Sequence, residues 1–140
     1  MAKIKAIEDV NKKGRLVYMY RLLYEQTDAT HPMTTRQIIE WFAKRGVEVN
    51  RKTVKNDVET LVAAGYPIHS KRSAGSHFYM TEREFDFSEL KTIIDAVNSD
   101  KTIPQEKCRK IVRKLSKLAS VYEASSLLEP METADGEESR

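Results

Sequence analysis

The sequence predicts a mainly α-helical fold with a small β-hairpin, followed by a C-terminal two-helix hairpin. Three observations predict it. Apolar residues recur at helical spacing in successive stretches of the 140-residue chain. Between residues 66 and 81 that period gives way to two short β-prone runs around a glycine-containing turn. Residues suited to starting and stopping helices stand at the ends of the apolar-periodic stretches, as Thr34, Gly46, Asn50 and Gly65 do.

Residues 1–13 are polar and lysine-rich and read as a flexible basic arm. From Gly14, Leu16, Met19, Tyr20 and Leu23 share one face of a helix running to about Thr27. Residues 28–33 read as a turn, with Pro32 as breaker. Thr34 caps a second helix to about Arg45, with Ile38, Trp41 and Phe42 inward. Asn50 caps a third to about Ala64, with Val54, Val58, Leu61 and Val62 inward. Residues 66–71 and 76–81 form the strands of a hairpin whose turn is 72–75, and Pro67 near the strand start suits an edge. Ser88 then caps a helix with Leu90, Ile93, Ile94 and Val97 inward. Pro104 opens a last helix, in first-turn position, with Cys108, Ile111, Leu115 and Leu118 inward. The predicted division is arm 1–13, first domain 14–83, helical hairpin 84–124 as linker and dimerisation element, and disordered acidic tail 125–140.

Composition excludes several classes. Hydrophobic residues make up 40% and charged residues 32%, a globular balance. No stretch approaches the roughly 18 apolar residues of a membrane span, and the N-terminus lacks the apolar core of a secretory signal. One cysteine, Cys108, allows no internal disulfide, so a cytoplasmic protein is expected. His31, His69 and His77 have no metal-ligand spacing, no glycine-rich phosphate loop follows a strand, and Ser73 near His77 lacks an orienting acid. No catalytic residue, metal or cofactor is expected, and the chain is not read as an enzyme. Charge is uneven: residues 1–83 carry a net +6, 84–128 +1 and 129–140 −4.

Helix, helix, short turn, helix, hairpin is the order of a winged helix-turn-helix, in which the second helix of the pair enters the major groove. With Val54 inward, Lys52, Lys55, Asn56 and Glu59 fall on the opposite side and Arg51 near its edge. Lysine reaches guanine or phosphate, and asparagine can bind adenine through two hydrogen bonds. Glu59 would repel phosphate, so only the first two turns are expected to enter. Thr35 and Arg36 open the preceding helix, where free N–H groups suit a phosphate. Lys71, Arg72, Ser76 and His77 crowd the hairpin turn as a basic wing tip. Trp41 and Phe42 read as core rather than as base-stacking rings. Arg109, Lys110, Arg113, Lys114 and Lys117 form a basic side of the last helix, read as a solvated face with a DNA-backbone contact as the alternative.

The runs TTRQIIEWFAKRGVEVNRKTVKNDVETLVAAGYPI, HFYM and REFDFSELKTIIDAVNSDKTIPQEKCRKIVRKLSKLASVYEA resemble the N-terminal region of bacterial WYL-domain transcriptional regulators, with their DeoR-like winged helix. The resemblance covers roughly residues 15–124, with FDFSELKTIIDAV and KLSKLAS its more specific parts. It implies a dimeric DNA-binding transcription factor. The family's recognition helix usually begins Ser-Arg-Arg-Thr, matched here by Asn50-Arg51-Lys52-Thr53, and Thr53 enters the candidate contact set on that match. Two positions later the family often has an aromatic and a basic residue, where this chain has Lys55 and Asn56. The ligand-sensing WYL domain has no counterpart in these 140 residues, so no small-molecule effector is expected.

The expected function is therefore a sequence-specific regulator of duplex DNA, by default a repressor. It would be a homodimer through Leu90, Ile94, Val97, Ile111, Leu115 and Leu118. The alternative is a protein-interaction module, or a mixed-dimer modulator of another regulator, acting through the 88–119 hairpin.

Overall fold

The computed structural model describes residues 11–71 and 76–138, without the side chains of Lys71 and 130–138. The chain divides into two units, Met1–Thr81 and Glu82–Arg140. Most described residues are helical, and the strands form one small antiparallel sheet. Among the described residues, no helix is long and apolar enough to cross a membrane.

In the first unit, α1 spans Lys12–Gln26. Its start precedes the expected Gly14 because the Asn11 side chain accepts the Gly14 N–H at 2.8 Å, a cap inside the segment read as an arm. The rest of that arm, 1–10, lies outside the described residues. β1, Met33–Thr34, leads directly into α2, Thr35–Ala43, and α3 spans Arg51–Ala63. Thr34 and Gln37 form a capping box, with bonds of 3.1 and 2.8 Å. Asn50 caps α3 by accepting the Thr53 N–H at 2.9 Å. Both helices stop at glycines with positive φ, 79° at Gly46 and 100° at Gly65, a conformation that glycine enters at little steric cost.

β2, Ile68–Lys71, and β3, His77–Met80, make the expected hairpin, whose turn 72–75 lies outside the described residues. The sheet has three strands rather than two, in the order β1-β3-β2, because Met33 and Thr34 pair with Phe78 and His77. A two-residue strand merging into a helix cap has no period to read. Within the hairpin, Ile68, His69, Ser70 and Lys71 lie opposite Met80, Tyr79, Phe78 and His77. Phe78 and Met80 are buried, whereas His77 and Tyr79 alternate to the other face, where the Tyr79 ring packs on His69 at 5.0 Å.

The core joins Met19, Leu22 and Leu23 of α1, Ile38 and Phe42 of α2, Val54, Val58 and Leu61 of α3, and Ile68, Phe78 and Met80 of the sheet. Of the expected core residues, Val62 stands outside the core and Trp41 at its edge. Val62 is 46% exposed, and Trp41 is half-buried beneath the Arg45 guanidinium, 3.7 Å above its ring. Thr27, fully buried, ties the end of α1 to the sheet by accepting the Met80 N–H at 3.0 Å while donating to the Leu23 carbonyl.

The second unit holds α4, Phe87–Ser99, α5, Gln105–Ser116, and α6, Val121–Glu138. α4 is capped by Asp86, in a box with Glu89, rather than by Ser88. Pro104 takes the cap position of α5 instead of its first turn. The expected two-helix hairpin is thus three helices, and the segment 125–140, expected to be disordered, is helical as far as Glu138. The cause lies at Ser120, whose hydroxyl accepts the Glu123 N–H at 3.2 Å, and at Leu127, which is buried with Leu90, Ile94, Val112 and Ala119. α5 buries Cys108, Val112 and Ser116, leaving Ile111 and Leu115 half-exposed.

Candidate nucleic-acid interface

α3 is held from behind. Its core stripe of Val54, Val58 and Leu61 fixes which side faces out, and Asp57 adds a directional anchor. The carboxylate of buried Asp57 accepts Arg15 Nε at 2.6 Å and a terminal guanidinium nitrogen at 2.9 Å. The two-pronged bond raises the Arg15 pKa above its usual value, chiefly through the hydrogen bonds to Asp57. Asp57 thus ties α3 to α1. Sequence reasoning missed this pair, because the two residues are 42 positions apart.

The flank of α3 turned away from Asp57 borders an open groove of about 830 Å³. Val58, Val62, Ile68 and Phe78 line it as an apolar floor; Arg51, Lys52, Lys55 and Glu59 line it from the exposed side of α3. Arg51, Lys52 and Lys55 are exposed, and among the described residues none has an ion-pair partner. Three cations thus meet on the first two turns of one helix, with a carboxylate just beyond, as its outward face predicts. Ser70 and Ser76 join the groove wall. Ser76, counted with the wing tip from the sequence, thus stands on the groove wall, whereas the part of Ser70 follows from its register opposite Phe78 and has no local signal.

The other candidates are placed less uniformly. Asn56 is exposed on α3 and lies outside the groove lining. Thr53 is half-buried, its N–H taken by the Asn50 cap. Thr35 lines the groove but is buried, and its N–H donates to the Ser76 carbonyl at 3.2 Å. The Thr34 and Gln37 N–H groups are also taken, by the capping box. Three N–H groups at the start of α2, those of Thr34, Thr35 and Gln37, thus already have partners within the fold. Arg36 is exposed and paired with Glu40 at 3.2 Å, a solvated ion pair that a phosphate can displace at little cost. His77 lies on the sheet face that alternates away from Phe78, outside the groove lining. The Lys71 side chain and Arg72 lie outside the described residues.

In the second unit, Leu90 and Ile94 are 0% and 4% exposed within the unit's own core. Both are among the residues expected at a dimer surface, and within this unit their side chains pack inward. Val97, Ile111, Leu115 and Leu118 are half-buried. Among the described residues, no cluster of His, Cys, Asp or Glu has the makings of a metal site.

Chemically, the groove side of α3 presents exposed cationic donors, and Asn56 adds an amide on the same helix outside the groove lining. Comparison of the chain with protein-family models, with curated proteins and with solved structures returns no match.

Proposed function

We propose that the chain is a sequence-specific duplex-DNA-binding regulator of the winged helix-turn-helix type, with the first two turns of α3 in the major groove. The observation that carries this reading is the convergence of exposed, unpaired Arg51, Lys52 and Lys55 on the groove side of a helix anchored from behind by Asp57. Cations already neutralised within the fold gain little from phosphate; these three lose no internal partner on binding it. Asn56 supplies a group able to read adenine. Glu59 limits insertion to the helix start, and Arg36 is placed for a backbone contact. Repression by occlusion follows most simply, since nothing in the reading requires an activation surface.

A homodimer is part of the proposal, because two-fold operators match two-fold proteins. With Leu90 and Ile94 enclosed, its surface draws on half-buried Val97, Ile111, Leu115 and Leu118. A second reading, docking on another protein, is favoured by one observation: Phe87, Val121 and Tyr122 are 37%, 44% and 43% exposed in the second unit.

Selection from a random duplex library, at about 150 mM salt where nonspecific binding is weakened, separates the two. Enrichment of a motif supports the regulator, and a repeated half-site gives the dimer spacing. No enrichment by folded protein overturns it in favour of the interaction module.

A further inference from the structure

α5 carries a second cationic face. Taking Val112 as the inward direction and about 100° per residue, Lys107, Lys110, Arg113, Lys114 and Lys117 fall within roughly 120° on the outer side. All five are exposed. Arg109, counted with this side from the sequence, is half-buried. The acid on the face, Glu106, reaches Lys110 at 3.8 Å. Among the described residues, Lys107, Arg113, Lys114 and Lys117 have no ion-pair partner. This is the same condition as on α3, and it contrasts with Arg15, Arg21, Arg36 and Lys91, each paired with an acid within the fold.

We infer that the outer face of α5 is a second binding surface for the phosphate backbone of duplex DNA, adding affinity without reading bases. The inference rests on the duplex-binding reading of α3. Its chemistry favours a phosphate backbone. The face offers ammonium and guanidinium groups without the amide or hydroxyl groups that would read base edges. Arg113 and Lys117, four residues apart, stand about 6 Å from each other along the helix axis, so that they can meet separate phosphates. A basic amphipathic helix can also lie on an anionic membrane, but it does so by burying its apolar side in lipid. Here that side is closed: Val112 is 0% and Cys108 6% exposed, within the protein's own packing. A polyanion that needs only the charged side is the partner that fits.

The test compares the full-length chain with R113A/K114A/K117A and K52A/K55A, on the selected duplex and on unrelated duplex, across a range of salt. Each phosphate contact contributes about 0.9 to the slope of log affinity against log salt. The α5 variant is expected to flatten that slope by about 2 to 3 and to lower affinity about tenfold or more on both duplexes, leaving the selected motif unchanged. The charge-keeping R113K/K114R/K117R is expected to bind as wild type; if it binds as weakly as the alanine variant, charge is not the cause and the inference falls. Wild-type affinity and slope in the alanine variant, while K52A/K55A loses binding, overturn the α5 surface and leave the α3 reading standing. No duplex binding by the wild type at low salt overturns both. Unchanged DNA binding with lost binding to phosphatidylserine-containing vesicles overturns it in favour of a membrane surface.

Discussion

Asp57 turns its carboxylate inward from α3, so that the residues one and two positions before it, Asn56 and Lys55, are left facing out. Arg15 is 18% exposed and Asp57 7% by side chain, so the pair is shielded enough to matter. Breaking one side of a buried pair strands the other charge, which costs about 3 kcal/mol or more, whereas replacing both by apolar groups is often neutral. Asp57→Ala is therefore expected to lower unfolding stability by about 3 kcal/mol in urea, and Arg15→Met with Asp57→Leu to recover most of it. A loss below about 1 kcal/mol in the single variant would show that the pair does not anchor α3. On the outer side the expected effects are on binding. Lys52→Ala and Lys55→Ala each weaken duplex affinity by several-fold at moderate salt, and Asn56→Ala relaxes base preference more than it lowers nonspecific affinity. Quantitative mobility shifts on selected and scrambled duplexes check this; three variants with unchanged affinity and preference would remove α3 from the groove. The outward cations were legible from helical spacing alone, since Val54 sets the inward direction. The anchor behind them was not, because an arginine and an aspartate far apart in sequence carry no local signal.

At the scale of elements, the helix ends are set by local signals. Thr34, Asn50, Gly46 and Gly65 act within four residues of themselves, and they bound α2 and α3 within about two residues of expectation. The departures from expectation have local causes too. Ser120 and Glu123 have the spacing of a capping box, and Leu127 and Leu128 follow, yet the acidic composition beyond hid a helix that one buried leucine secures. On α5, Val112 is inward and the stripe is rotated from the expected one, because two adjacent stripes of that helix are apolar and only α4 and α6 decide between them. The joint between α4 and α5 is a further local device. Asp100 accepts the Thr102 N–H at 2.9 Å and its hydroxyl at 2.6 Å, and these bonds hold the carboxyl below the usual aspartate range, the hydroxyl foremost. A lowered carboxyl pKa stabilises the fold above about pH 4, and that contribution is lost as pH falls through the lowered value. Thr102→Val removes the hydroxyl donor and keeps the N–H. The Asp100 titration midpoint, followed by NMR of its carboxyl carbon, is expected to rise towards the ordinary value. The stability difference between variant and wild type is expected at neutral pH and to vanish in strong acid. An unmoved midpoint would show that the hydroxyl bond is not what holds the turn.

At the scale of the whole molecule, two cores with no residue in common are built on one chain, one around Phe42 and one around Leu90. The single tryptophan, Trp41, belongs to the first, where the Phe42 ring meets it edge-on at 5.0 Å and Arg45 covers it. Its fluorescence therefore reports the first unit, while helical circular dichroism reports both. Leu90 is fully buried, and truncating such a leucine costs about 2–5 kcal/mol through lost transfer energy and the cavity left behind. A three-helix unit of fewer than 60 residues has little stability to lose, since small cores bury only a modest share of their surface. Leu90→Ala is thus expected to bring part of the circular-dichroism transition to lower urea while the Trp41 transition stays in place. Duplex affinity should then fall with the α5 contacts, with the selected motif retained by α3. If the Trp41 transition moves down in step, the first unit depends on the second for its stability, and the binding helix is only as secure as the three helices that follow it.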